Sequence, residues 1–201
     1  MADIILASQS PRRKTLLEWA NIPFEIVVSD SDESFPETMA KQEVPVFIAS
    51  NKAKAVLEKL EQLQEPHQQK DALKDFCIIA ADTIVLLDQL ILGKPLDRQD
   101  AVNSLSLLSG RSHQVITGVV VLYQGKEYAF SETTQVDFHS LTLAQIEYYV
   151  DHYKPFDKAG GYAIQEWIGV IGIKGIQGDF YNVMGLPVSL LVQKLKQLGI
   201  D

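Results

Sequence analysis

The chain has 201 residues, 26 of them Asp or Glu and 18 Lys or Arg, for a formal net charge of −8 at pH 7. At 46% hydrophobic and 22% charged it falls among ordinary globular domains, away from disordered, collagen-like or membrane classes, and it is long enough to bury one good core. The acidic balance speaks against general nucleic-acid binding, which draws on many phosphate-neutralising cations, and a single cysteine, Cys77, excludes a disulfide framework or a multi-cysteine zinc site.

Ile4-Ile5-Leu6-Ala7 is a short apolar run leading into Ser8-Gln9-Ser10-Pro11, where a polar residue and then proline start a helix. Leu16, Leu17 and Ala20 give that helix an apolar side, and alternation through Phe24, Ile26 and Val28 predicts a half-buried strand. Ser29 to Glu37, SDSDESFPE, holds four acids and a proline and reads as a loop, either metal-facing or merely solvated. Apolar residues at helical spacing from Val46 to Leu60, with Lys52, Lys54, Glu58 and Lys59 between them, predict a long amphipathic helix. The Gln-rich residues 61–75 read as an exposed helix end and linker. Cys77 to Ala81 is a buried-type strand that continues through Asp82-Thr83 into Ile84 to Leu87.

Further along, Asp97 caps a helix over 98–108 that Gly110 ends, and two strands, Val115 to Leu122 and Tyr128 to Phe138, meet in a hairpin at Gln124-Gly125-Lys126. Thr142 caps a helix reaching Val150, Pro155 to Gly161 is turn-rich, Ile168 to Ile176 reads as a glycine-dotted strand, and Pro187 to Leu198 closes the chain with an amphipathic helix. The whole is α/β without an internal repeat.

Chemistry concentrates in a few places. Ser8 to Lys14 sets hydroxyls, the free N–H groups of a helix start and three cations within seven residues, the outline of an anion site; the plain alternative is a helix cap followed by solvated basic side chains. Asp82 interrupts an apolar strand, where an unpartnered carboxylate costs several kcal/mol, so it carries either a function or a satisfied hydrogen-bond network. Lys52, and Lys94 in Gly93-Lys94-Pro95, each read singly as solvated lysines. With Glu33 and Asp82 they suit a triphosphate and a divalent cation if folding brings them together, which spacing does not decide. No P-loop, dinucleotide fingerprint, G-x-S-x-G elbow or H-E-x-x-H helix occurs, and His67, His113, His139 and His152 do not cluster as ligands. Cys77 reads as a core thiol. No run approaches the roughly 18 apolar residues of a membrane span, and MADIILAS lacks the features of a secretory signal, so the expectation is a cytoplasmic protein.

Taken in order, LASQSPRRKTLL (6–17), AADTIV (80–85), GKP (93–95), SGRSHQVITGV (109–119), KAGGYAIQ (158–165) and NVMGLPV (182–188) resemble the Maf family of nucleoside triphosphate pyrophosphatases, relatives of the inosine triphosphate pyrophosphatases. The resemblance implies a single Maf-like domain over 1–201: an α/β fold with a mixed sheet, flanking helices and two lobes around a nucleotide-binding cleft. It also implies a divalent metal, Mg²⁺ or Mn²⁺, and hydrolysis between the α- and β-phosphates to a nucleoside monophosphate and pyrophosphate. By motif, Asp82 matches the proton acceptor, Ser10, Arg12 and Arg13 the phosphate contacts, and Lys52 and Lys94 charged substrate-binding positions. Glu33 matches a further charged cleft position; Glu33 in part, together with Asp82, is the expected holder of the metal, and whether Asp82 is base, ligand or both stays open.

Within the family, base preference is associated with the positions held here by Arg12, Thr83 and Gln165, which resemble the branch acting on dTTP and UTP rather than 7-methyl-GTP. A glutamine amide offers one donor and one acceptor to the O4 and N3–H edge of thymine or uracil. Glu166 follows Gln165 where a glycine is commoner. Two alternatives accompany the resemblance: the same chemistry on 7-methyl-GTP or noncanonical purine triphosphates, and a nucleotide-binding regulator of septum formation without turnover. The expected partner is the nucleotide, with no nucleic acid and no membrane, in a homodimer.

Overall fold

The computed structural model describes residues 3–63 and 76–200. The first apolar run is strand β1 (Asp3–Leu6), and Pro11 opens helix α1 (Pro11–Trp19) behind an extended Ser10. There follow β2 (Glu25–Ile26), α2 (Val44–Leu63), β3 (Phe76–Leu87), β4 (Leu90–Leu92), α3 (Arg98–Leu108), β5 (Ser112–Tyr123), β6 (Lys126–Phe138) and α4 (Leu143–Tyr153). A 3₁₀ turn (Ala159–Gly161), α5 (Trp167–Gly172), β7 (Ile173–Gln177), α6 (Phe180–Met184) and α7 (Val188–Gln197) complete the order. The seven strands form one mixed sheet, β2-β1-β3-β5-β6-β7, with β4 paired to β3. β1 runs parallel to both β2 and β3, while β3–β4 and β6–β7 are antiparallel. The α/β expectation of a mixed sheet with flanking helices holds.

Local chemistry accounts for most element ends. Asp97 accepts the Asp100 N–H at 2.8 Å to start α3, and Thr142 with Gln145 forms a capping box on α4. Gln124 and Gly125 both take positive φ, 51° and 70°, the two-residue turn whose twist suits the strands β5 and β6. β3 is buried along most of its length between β1 and β5, which is why its sequence is a continuous apolar run and not an alternation.

Two compact units divide the chain: Met1–Asp82 with Thr117–Ser131 and Gly185–Asp201, and Thr83–Ile116 with Glu132–Met184. Each has its own core. In the first, Ala49, Ala53 and Val56 of α2 pack on Ile5, Ile78, Ala80 and Val120. In the second, Leu105 and Leu108 of α3, Ile146 and Tyr149 of α4 and Ile168 of α5 pack on Val85, Val136 and Phe138. A fully buried Val, Leu, Ile or Phe side chain contributes about 1.5–3 kcal/mol, so the helical spacing of such residues decides which face each helix presents. Cys77 is fully buried, and burial pushes its thiol up to about 12.

Some expectations change. The alternation over Phe24 to Val28 yields only the two-residue β2, and Ile26 is 47% exposed, because this outermost strand pairs with β1 at two positions. The single strand expected over Ile168 to Ile176 divides into α5 and β7. Its glycines divide likewise: Gly169 allows a close backbone approach, since a Cβ there would fall 1.7 Å from the Ile164 carbonyl oxygen, and Gly175 lies in β7 where the pairing with β6 shifts register between Asp137 and Phe138. The short helix α6 has no counterpart in the sequence reading. From residue 64 on, the linker expected over 61–75, with His67, lies outside the described residues. No helix among the described residues is long and apolar enough to cross a membrane.

Gly118 of β5 lies against the first turn of α2, where a Cβ would sit 2.2 Å from the Val46 nitrogen and 2.4 Å from the Pro45 carbonyl carbon. Both neighbours are backbone and cannot swing aside. Gly118→Ala should therefore lower the unfolding free energy by about 3 kcal/mol in a urea titration. A loss below about 1 kcal/mol would mean that α2 shifts on β5 at little cost.

Candidate functional site

Asp82, the acid that interrupts β3, is paired. Lys52 Nζ donates to its Oδ1 at 2.6 Å and lies 2.8 Å from Glu33 Oε1. The Lys52 and Asp82 side chains are 16% and 14% exposed, so water and salt screen this pair less than a surface pair. Helix α2 positions the lysine by burying Ala49, Ala53 and Val56 around it in sequence. Glu33 comes from the acidic loop, where Asp32 accepts both the backbone N–H and the hydroxyl of Ser34, at 2.8 and 2.7 Å. This local turn brackets Glu33, and its hydrogen bonds hold the Asp32 carboxyl below the usual range.

Arg13 of α1 is buried, with Nε donating to the Gly185 carbonyl at 2.8 Å and Nη1 to Ser8 Oγ at 3.1 Å. Burial lowers its pKa; the charge of Asp82, then of Glu33, favours the cation, while Arg12 opposes it. Arg12, Arg13, Glu33, Lys52 and Asp82 thus share one electrostatic neighbourhood within the first unit. Ser10 makes no side-chain cap on α1, and its N–H goes to Ser8 Oγ at 3.2 Å. The Ser8 hydroxyl, expected to serve an anion directly, and the Gly185 carbonyl both turn to Arg13 instead. Their role is to hold Arg13, and the only sign of it in the sequence is that they belong to the same set of motif blocks.

Thr83, Lys94 and Gln165 belong to the second unit. Thr83 is half-buried in β3, and Lys94 and Gln165 are exposed. The Gly160 N–H donates to the Gly93 carbonyl at 2.9 Å, which makes the GKP and KAGGY segments neighbours. That approach needs a glycine: Gly160 has φ 67°, and a Cβ there would lie 2.9 Å from Val85 Cγ2. Gln165 stands in a turn closed by the Glu166 N–H on the Ala163 carbonyl at 3.1 Å. Two buried pairings flank these segments. His113 Nε2 meets the Tyr162 hydroxyl at 2.7 Å, and Asn182 Nδ2 donates to the Val115 carbonyl and to Thr134 Oγ1, each at 3.0 Å. His113, Tyr162 and Asn182 all lie inside motif blocks, yet nothing in their spacing announces a contact.

The sequence model for Maf-like proteins matches residues 3–198. The chain belongs to the Maf family. A protein of Parabacteroides distasonis named dTTP/UTP pyrophosphatase is 48% identical over 194 residues, 96% of this chain and 94% of that one. Proteins of the same name from Cytophaga hutchinsonii and Porphyromonas gingivalis are 46% and 45% identical, each over 98% of this chain and over 84% and 94% of their own length. A solved structure of the Staphylococcus aureus Ham1 protein overlaps 68% of this chain and 71% of its own, with 14% identity and a TM-score of 0.42, too slight a likeness to bear on fold or function.

In this Maf chain, no group of three or more His, Cys, Asp or Glu placed to hold a metal occurs among the described residues. Glu33 and Asp82 do bring two carboxylates to one ammonium. Such a hard-oxygen pair fits Mg²⁺ or Mn²⁺, which take one or two carboxylates and fill the remaining positions with water and substrate phosphate.

His113 is 3% exposed, and burial pulls its pKa from 6.5 to about 4 despite the Asp137 charge. Between these values the unfolded chain binds a proton that the folded chain does not, so stability falls as pH falls through that window. At about 1.4 kcal/mol per pH unit the loss totals roughly 3 kcal/mol. Urea unfolding measured from pH 6.5 down to 4 should show this slope in the natural protein and lack it in His113→Gln. Equal slopes in the two proteins would place the acid sensitivity elsewhere.

Proposed function

We propose that this chain hydrolyses dTTP and UTP between the α- and β-phosphates, as a single Maf-like domain over residues 1–201, releasing the nucleoside monophosphate and pyrophosphate. One observation carries the reading: Lys52 meets Asp82 and Glu33 beside Arg12 and Arg13, in a chain whose relatives are named dTTP/UTP pyrophosphatase. Arg12, Arg13, Lys52 and Lys94 bind the triphosphate, the arginines through their planar forks, and Ser10 adds a hydroxyl at the start of α1. Asp82 orients the attacking water. Lys52 engages its Oδ1, and the second oxygen takes the proton as the water oxygen bonds to the α-phosphorus. The bond from that phosphorus to the bridging oxygen breaks, its electron pair leaves with pyrophosphate, and the surrounding cations lower the energy of the charge that builds there. Glu33 and Asp82 would hold the divalent cation, which when bound supplies further charge neutralisation on the phosphates.

Base choice falls to Gln165 with Arg12 and Thr83. The Gln165 amide accepts from N3–H and donates to O4 of thymine or uracil, whereas cytosine offers an unprotonated N3 and a 4-amino group, the reverse pattern. The setting we propose is the cytoplasm, with a free nucleotide as the partner.

Pyrophosphate release with Mg²⁺ or Mn²⁺ should be fastest on dTTP and UTP among those two, CTP, GTP, ITP and 7-methyl-GTP, and chelation of the metal should abolish it. Asp82→Asn should lower kcat by about a thousandfold. Preference for a purine nucleotide would overturn the base assignment. Full turnover in Asp82→Asn would overturn the role of Asp82, and binding without turnover on any nucleotide would favour a regulator.

A further inference from the structure

Glu166, which stands where the family resemblance leads one to expect glycine, is not idle. Within the second unit, the turn Ala163–Glu166 that carries Gln165 is held from both ends by one hydroxyl. Tyr149 of α4 is fully buried; its oxygen accepts the Ala163 N–H at 3.1 Å, and it donates to Glu166 Oε2. The other carboxylate oxygen, Oε1, lies 3.5 Å from Lys158 Nζ, itself 9% exposed and 2.8 Å from Asp157 Oδ1. Beneath the turn, Gly169 of α5 sits so close to the Ile164 carbonyl that no side chain fits between them. Burial and the Glu166 carboxylate push the Tyr149 pKa up, so the hydroxyl stays a donor.

None of these groups has a role in the phosphate chemistry proposed above. A buried tyrosine, a carboxylate and a lysine are costly to desolvate, and an apolar set of the same volume would pack as well. What they have in common is Gln165, exposed in the turn they hold. A primary amide carries its donor and acceptor side by side, and half a rotation about its last bond reverses them. A mobile glutamine can therefore serve a 4-oxo and a 4-amino pyrimidine alike. Discrimination needs the amide presented at one distance and angle, which begins with a fixed backbone.

We propose that Tyr149 and Glu166 are positioning residues that set the preference for 4-oxo over 4-amino pyrimidine nucleotides by fixing the turn that carries Gln165. The proposal rests on the reading of Gln165 as a base contact. Lys158 steadies the carboxylate of Glu166 from its other side.

The test compares dTTP with dCTP by pyrophosphate release, taking kcat and KM separately. Tyr149→Phe keeps the ring in the core and removes the hydroxyl, Glu166→Gly removes the acceptor, and Glu166→Gln keeps one. Tyr149→Phe and Glu166→Gly should lower the dTTP/dCTP ratio of kcat/KM by about tenfold, chiefly through a higher KM for dTTP, and Glu166→Gln should restore most of it. If those two variants slow both nucleotides alike and leave the ratio within about twofold, the cluster is only structural and the proposal falls. Gln165→Ala separates this from its premise. A ratio unchanged in Gln165→Ala refutes the base contact itself and the proposal with it. A ratio that collapses there but survives in Tyr149→Phe and Glu166→Gly leaves the base contact standing and refutes the positioning role alone.

Discussion

The ammonium of Lys52, within 2.6 Å of Asp82 and 2.8 Å of Glu33, is what lets an acid occupy the middle of a buried strand. Left without a partner, that carboxylate would cost several kcal/mol or give up its charge. The requirement spreads outward through the first unit. Lys52 reaches Asp82 only if α2 lies close to the sheet, and α2 lies close because Gly118 of β5 offers no Cβ to its first turn. The same ammonium ties down the acidic loop through Glu33, whose place is set by the local turn of Asp32 and Ser34. One cation thereby orders a strand, a helix and a loop around two carboxylates.

Many residues of the motif blocks act as supports. Ser8 and Gly185 hold the guanidinium of Arg13 by its Nη1 and Nε and so fix its direction. Gly160 brings the KAGGY segment onto Gly93 and Val85, and His113 meets Tyr162 in the same segment. A scheme in which positioning and electrostatics supply most of the rate depends on such rigid supports as much as on the charges themselves.

Helices α2, α3, α4 and α7 were legible in the sequence because caps and apolar spacing are local signals, as in Asp97 and Thr142. The continuous run of β3 was legible because a strand with neighbours on both sides is apolar on both faces. β2 was not, since its length depends on how far β1 pairs with it, and α5 was not, since glycines at 169 and 172 suit a strand bulge and a close-packed helix equally. The site divides in the same way. Asp82 announced itself as an acid among apolar residues, whereas Lys52 looked like any lysine on a solvated helix face until β1, β3 and α2 came together. Tyr149 and Glu166 are 17 residues apart and His113 and Tyr162 are 49 apart, separations at which spacing predicts no contact.

Cys77 lends the molecule a different property. It is the chain's one cysteine, fully buried in β3, with its thiol held in the protonated form far above neutral pH. Peroxides, electrophiles and disulfide exchange all act on an accessible thiolate. While the fold is intact they find none here, so the redox poise of the surroundings has no thiol through which to act on this protein.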